Sequence, residues 1–106
     1  HLHDYGIYVD ECVTLPAQVL SYEDTDPSNP SIPELRKNWS GSIMGGLDKN
    51  GITRVTPAAA KRNAENGIRN GGDTKFFLAP GCSFPTWFYP PAGELIVETA
   101  KAAGRG

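Results

Sequence analysis

Residues 76–85 read FFLAPGCSFP. Three large apolar residues run into Ala79-Pro80-Gly81 and stop at Cys82. A short apolar run closed by Pro and Gly reads as a buried strand that ends in a turn. Working outward, Thr56-Pro57 precedes this strand as a helix start, with an N-cap oxygen followed by Pro at the first helical position. The helix over residues 57–70 should stop at Gly71-Gly72. Pro90-Pro91 follows the strand and opens a last helix over about residues 92–103, with Leu95, Ile96, Thr99 and Ala102 as its inward stripe and Gly104 as its end.

The same alternation extends toward the N-terminus. Residues 19–22, VLSY, and residues 42–44, SIM, are strand-like, and Lys75 to Leu78 forms the third such run. Ser31-Ile32-Pro33-Glu34 has capping-box spacing, so a helix is expected from there to about Asn38. His1-Leu2-His3 reads as the tail of an earlier strand, followed by a short helix around residues 6–15. Strand–helix alternation implies an α/β fold with parallel strands and outer helices. About four βα units are expected, which is half of a TIM (β/α)8 barrel. On this reading residues 1–106 form one partial barrel domain.

Composition narrows the function. The chain has 106 residues and a net charge of -2, with 10 basic and 12 acidic side chains. No basic run marks a nucleic-acid or anionic-membrane surface. No apolar run reaches the roughly 18 residues of a membrane span. No leader pattern is read at the start. Two cysteines, Cys12 and Cys82, are too sparse for a disulfide scaffold and read as separate thiols of a cytoplasmic protein. Asn38-Trp39-Ser40 matches a glycosylation acceptor, which has no consequence in that compartment. The sequence opens on His1, so a partial chain is expected.

In parallel α/β folds the chemistry lies past the carboxyl ends of the strands. The residues expected there are His1, His3, Glu23, Asp24, Asp48 and Cys82. Side chains two apart on a strand point the same way, so the two imidazoles of H-x-H share a face. A thiolate from a distant strand would complete three ligands with an open fourth position, the pattern of a catalytic zinc. Each residue also has a plain structural use. A cysteine at a strand end often serves as a small hydrophobe, Glu23 and Asp24 suit a solvated loop, and Asp48 suits a turn. The aromatic group Phe84, Trp87, Phe88 and Tyr89 reads as packing over the last helix.

The order of these pieces resembles the C-terminal half of the uroporphyrinogen decarboxylase superfamily: H-x-H with D-Y-G, then V-L-S-Y-E-D, P-S-I-P-E-L-R, I-M-G-G-L-D, V-T-P and F-F-L-A-P-G-C-S-F-P. The resemblance spans essentially all 106 residues. It implies a (β/α)8 barrel with its site at the carboxyl rim. That superfamily holds the decarboxylase (a lyase) of porphyrin biosynthesis and the zinc methyltransferases that move methyl groups between corrinoids and thiols. The methyltransferases carry an H-x-C pair and a distant Cys as zinc ligands. By resemblance His1 and Cys82 match two of these, and His3 stands where the first Cys would be.

The resemblance therefore implies metal ligands His1, His3 and Cys82, with Cys82 and His3 also catalytic, and Asp24 and Asp48 toward the substrate. Zinc and a corrinoid methyl donor are the implied cofactors. A decarboxylase acting on a tetrapyrrole is the alternative. It needs convergent arginines, of which only Arg54 lies near an expected rim loop. A non-catalytic partial chain that self-associates is the third reading. The expected partners are the N-terminal half of the barrel or a second copy of the chain as a homodimer, and a corrinoid protein; nucleic acid and membrane are not expected. The 106 residues alone are expected to be inactive.

Overall fold

The computed structural model describes residues 1–50, 56–84 and 90–105. Three parallel strands lie in the order β1-β2-β3: β1 Val19–Ser21, β2 Ser42–Leu47 and β3 Phe76–Pro80. Among the described residues four full helices accompany them, α1 Val9–Cys12, α2 Ile32–Leu35, α3 Pro57–Gly71 and α4 Pro90–Arg105, and Lys49 and Asn50 are helical as well. The chain is thus an α/β fold in which α2 and α3 link successive parallel strands.

The helix starts obey local chemistry. Ser31 Oγ accepts the Glu34 N–H at 3.3 Å, and Thr56 Oγ1 accepts the Ala59 N–H at 3.2 Å. Each satisfies an amide that has no partner inside its helix. α3 docks on the sheet through small residues. Ala60, Ala64, Gly67 and Gly71 are its buried positions. A Cβ at Gly67 would come within 2.7 Å of the Gly46 carbonyl oxygen, and one at Gly71 within 2.3 Å of the Phe76 ring.

All the packed helices lie on one face of the sheet. Leu20, Tyr22 and Ile43 pack with Ile32, Leu35 and Trp39, while Leu47 packs with Ala60, Ala64, Ala92 and Ile96. Strand residues alternate between faces. Val19, Met44 and Phe77 therefore point the other way, and they are 40%, 36% and 52% exposed. Parallel sheets are normally covered on both faces. Ile43, Phe76 and Leu78 face the helices.

Several boundaries differ from the sequence expectations. Residues 1–3 are not a strand. The Leu2 N–H reaches the β1 backbone, donating to the Ser21 carbonyl at 2.8 Å, before left-handed Asp4 (φ 71) and Gly6 (φ 64) turn the chain away. Among the described residues three strands therefore stand where about four βα units were expected. The helix over 6–15 is the single turn Val9–Cys12, which has no side-chain cap at its start. After Cys12 the chain continues in tighter turns, with the Thr14 N–H donating to the Glu11 carbonyl at 3.4 Å and the Leu15 N–H to the Cys12 carbonyl at 3.1 Å.

The helix expected to Asn38 stops at Leu35, because Trp39 turns inward and donates Nε1–H to the Ser42 carbonyl at 3.1 Å. β2 runs on past Met44 through Gly45-Gly46 to Leu47, since pairing with β3 overrides the turn-like local sequence. β3 likewise continues past Leu78 to Pro80, whose position is paired with Leu47. Gly104 lies inside α4 rather than ending it, and Ala102 is exposed, so the inward side of α4 is Ala92, Leu95 and Ile96. Both cysteines are free thiols.

Candidate metal centre

The parallel register brings the carboxyl ends of β1, β2 and β3 to one rim. Past β3, Gly81 donates its N–H to the Leu47 carbonyl at 3.3 Å, and a Cβ there would come within 2.7 Å of Glu23 Cα. The turn after β3 therefore lies directly on the end of β1, which only glycine permits. This contact sets Cys82 opposite the H-x-H segment.

His1, His3 and Cys82 form one cluster, their potential ligand atoms all within 4.8 Å of one another. Cys82 Sγ lies 3.4 Å from His3 Nδ1. The two imidazole rings are 6.1 Å apart between centroids and tilted by 54°. His1 Nδ1 lies 3.1 Å from Ser21 Oγ. Both histidines are exposed and Cys82 is half-buried. The cluster borders an open cavity of about 620 Å³, whose remaining lining is Ser21, Met44, Pro80 and Ser83.

The donor set fits zinc. A thiolate at about 2.3 Å and an imidazole at about 2.0–2.1 Å on one tetrahedral ion stand about 3.5 Å apart. The separation between Cys82 Sγ and His3 Nδ1 matches that span. His1, which is exposed, would be the third protein ligand. Two imidazoles and one thiolate are a borderline-soft set suited to zinc.

The acidic residues of the rim lie outside this cavity lining. Glu23 is only 8% exposed, and its carboxylate pairs with the Lys49 ammonium. This contact holds Lys49 above the ordinary lysine range, and the nearby Cys82 and Asp4 add to the effect. Asp24 Oδ1 accepts the Gly46 N–H at 2.8 Å. It occupies space a Cβ at Gly45 would fill, 2.6 Å away. Asp48 precedes a helical stretch that begins at Lys49: its Oδ1 accepts the Asn50 N–H at 2.9 Å, and its backbone exchanges two hydrogen bonds with the Asn63 side chain. Arg54, Trp87, Phe88 and Tyr89 fall outside the described residues; Phe84 is partly exposed.

Burial pushes the Asp24 carboxyl above its ordinary value, although the Gly46 N–H opposes the shift. A carboxyl raised in the folded state favours folding while it is protonated, and that contribution is lost as pH rises through the folded value. An Asp24→Asn variant keeps an oxygen acceptor for Gly46 and carries no charge to bury. It is expected to gain stability relative to the parent as pH rises through the carboxyl range, from the ordinary value of about 4 upward. Urea titrations of both proteins across that range check this; parallel stability–pH curves would show that Asp24 is not penalised by burial.

Sequence reading missed three residues of this rim. Ser21 is the last residue of β1, where strand-end logic points, but its value depends on His1 lying beside it. Asn29 ties the first loop to the rim: its Nδ2 donates to the carbonyls of Asp4 and Glu23, both at 3.0 Å, and its Oδ1 accepts the Ile7 N–H at 3.1 Å. Lys49 carries no motif at all. Among the described residues, no helix is long and apolar enough to cross a membrane. No protein-family model matches the chain, and no curated protein sequence matches it either.

Proposed function

We propose that this chain is part of a (β/α)8-barrel enzyme of the uroporphyrinogen decarboxylase type, in which His1, His3 and Cys82 hold zinc for methyl transfer from a corrinoid to a thiol or similar acceptor. The observation that carries this reading is the 3.4 Å approach of Cys82 Sγ to His3 Nδ1, within a three-ligand cluster at the carboxyl rim of parallel strands. The motif resemblance supports the reaction class. The open sheet face of Val19, Met44 and Phe77 suits a barrel interior that the remaining strands, or a second copy of the chain, would cover.

Zinc bound there would supply the Lewis acidity that keeps an acceptor thiol deprotonated near neutral pH. The chain's own groups have the other tasks. His1, His3 and Cys82 fill three positions and leave the cavity side open for the acceptor. Met44 and Pro80 present an apolar wall on that side. A corrinoid, when bound, would supply the methyl group to the acceptor thiolate and would keep the electron pair of the bond that breaks. Decarboxylation is less well supported, because a cation grip for carboxylates is not apparent among the described arginines. Arg36, for one, is committed to the carbonyls of Gly71, Thr74 and Lys75.

Metal analysis tests the proposal. The purified protein should carry one equivalent of zinc, and Cys82→Ala should lose it, because two exposed imidazoles remain. Cys12→Ala, which alters a thiol on α1, should keep it. Zinc retained in full by Cys82→Ala would sink the proposal.

A further inference from the structure

Ser21 makes two contacts with the H-x-H segment. Its carbonyl accepts the Leu2 N–H at 2.8 Å, and its hydroxyl lies 3.1 Å from His1 Nδ1. Leu2 packs against the core cluster of Leu20 and Tyr22, while His1 and His3 stay exposed on either side of it. Among the described residues the segment has no other strand pairing. One residue at the end of β1 thus fixes both the backbone of the segment and the orientation of one imidazole.

We infer that Ser21 is a positioning residue of the metal centre: it accepts the Nδ1–H of His1 and so leaves His1 Nε2 as the metal-binding atom, while His3 binds through Nδ1. The inference rests on the zinc reading above. The chemistry is that of neutral imidazole, in which one nitrogen carries the proton and the other offers the lone pair. A hydroxyl that accepts the Nδ1–H fixes the tautomer whose Nε2 is free, and it also limits ring rotation. His3 differs because its Nδ1 already faces Cys82 Sγ. The two histidines of one short motif would therefore bind through different ring nitrogens, a consequence of which neighbour each one meets.

Two measurements test this. The first is zinc affinity by competition with a chelator. Ser21→Ala is expected to weaken zinc binding about 10–100-fold, the usual effect of losing an outer partner of a ligating histidine. Ser21→Thr, which keeps the hydroxyl and suits a strand, should restore it. Circular dichroism should show the same fold in both. Zinc lost in Cys82→Ala but unchanged in Ser21→Ala would overturn the positioning role and leave the metal site standing.

The second measurement needs no metal. Long-range proton–nitrogen NMR of the metal-free protein reports which ring nitrogen of His1 is protonated. Nδ1–H in the parent, with a shift toward the Nε2–H form in Ser21→Ala, supports the clamp. Nε2–H in the parent would overturn it, whatever the protein does with zinc. Absence of zinc binding by the parent would instead count against the metal centre itself.

Discussion

Replacing Ile43 by alanine is expected to destabilise the fold by about 2–5 kcal/mol. Ile43 has no exposed surface and lies at the middle of the sheet, paired on one side with Leu20 and on the other with Phe76. Its side chain packs among Tyr22, Ile32, Leu35 and Trp39. Two of these, Tyr22 and Trp39, are also held by hydrogen bonds to the carbonyls of Pro30 and Ser42, so they have little freedom to collapse into the space left behind. A site that cannot relax keeps its cavity, and the cost then rises toward the upper end of that range. The loss is large beside a whole domain's net stability of about 5–15 kcal/mol.

Denaturant unfolding reads the effect as a lowered midpoint with an unchanged slope. The neighbouring Met44 supplies the control. It is 36% exposed on the opposite face, and Met44→Ala should cost clearly less. The reverse order would mean that the strand register is wrong by one residue, which exchanges the two faces.

Replacing Gly81 by valine should damage fold and site together. The β-carbon alone would lie 2.7 Å from Glu23 Cα, 3.0 Å from Glu23 Cγ and 3.1 Å from the Tyr22 carbonyl oxygen. Two of these three atoms belong to the backbone at the end of β1, so no side-chain rotation relieves the contact. Overpacking of this kind costs about 1–3 kcal/mol and occasionally more, and here the relief is for the turn after β3 to lift away from β1. Cys82 follows directly, and its 3.4 Å approach to His3 widens with it.

Gly81→Val should therefore lose zinc as completely as Cys82→Ala does, although all three proposed ligands remain in the sequence. Metal content and the unfolding midpoint, measured on the same preparation, check this. A variant with unchanged stability and full zinc would show that the turn does not rest on β1.

Local chemistry made much of the fold legible in the sequence. Thr56-Pro57 and the Ser31–Glu34 spacing fix the starts of α3 and α2, because a cap acts within three residues of itself. The apolar runs over 19–22, 42–44 and 75–78 mark the three strands, and their alternation with helices gives the parallel order. Boundaries were legible only where no distant partner intervened. Gly45-Gly46 has the local character of a turn, yet β2 continues through it because β3 offers hydrogen bonds alongside, Asp24 fills the side-chain space at Gly45, and Phe76, Gly67 and Leu78 fill it at Gly46. The short segment His1–His3 has the alternation of a strand but no ladder to join, and it is held instead by Ser21.

The site divides in the same way. Residue type alone singles out His1, His3 and Cys82, since imidazole and thiolate are zinc's preferred donors. Their meeting is tertiary: His3 and Cys82 are 79 residues apart, and what joins them is the parallel register together with a glycine that lets one rim turn lie on the next. Ser21, Lys49 and Asn29 stayed hidden because each works through a single neighbour brought in from far along the chain. Only the tertiary structure decided which face of the sheet stays open. Period two in a strand says that neighbouring residues face opposite ways, and the packing of α2, α3 and α4 determines which of the two ways is inside.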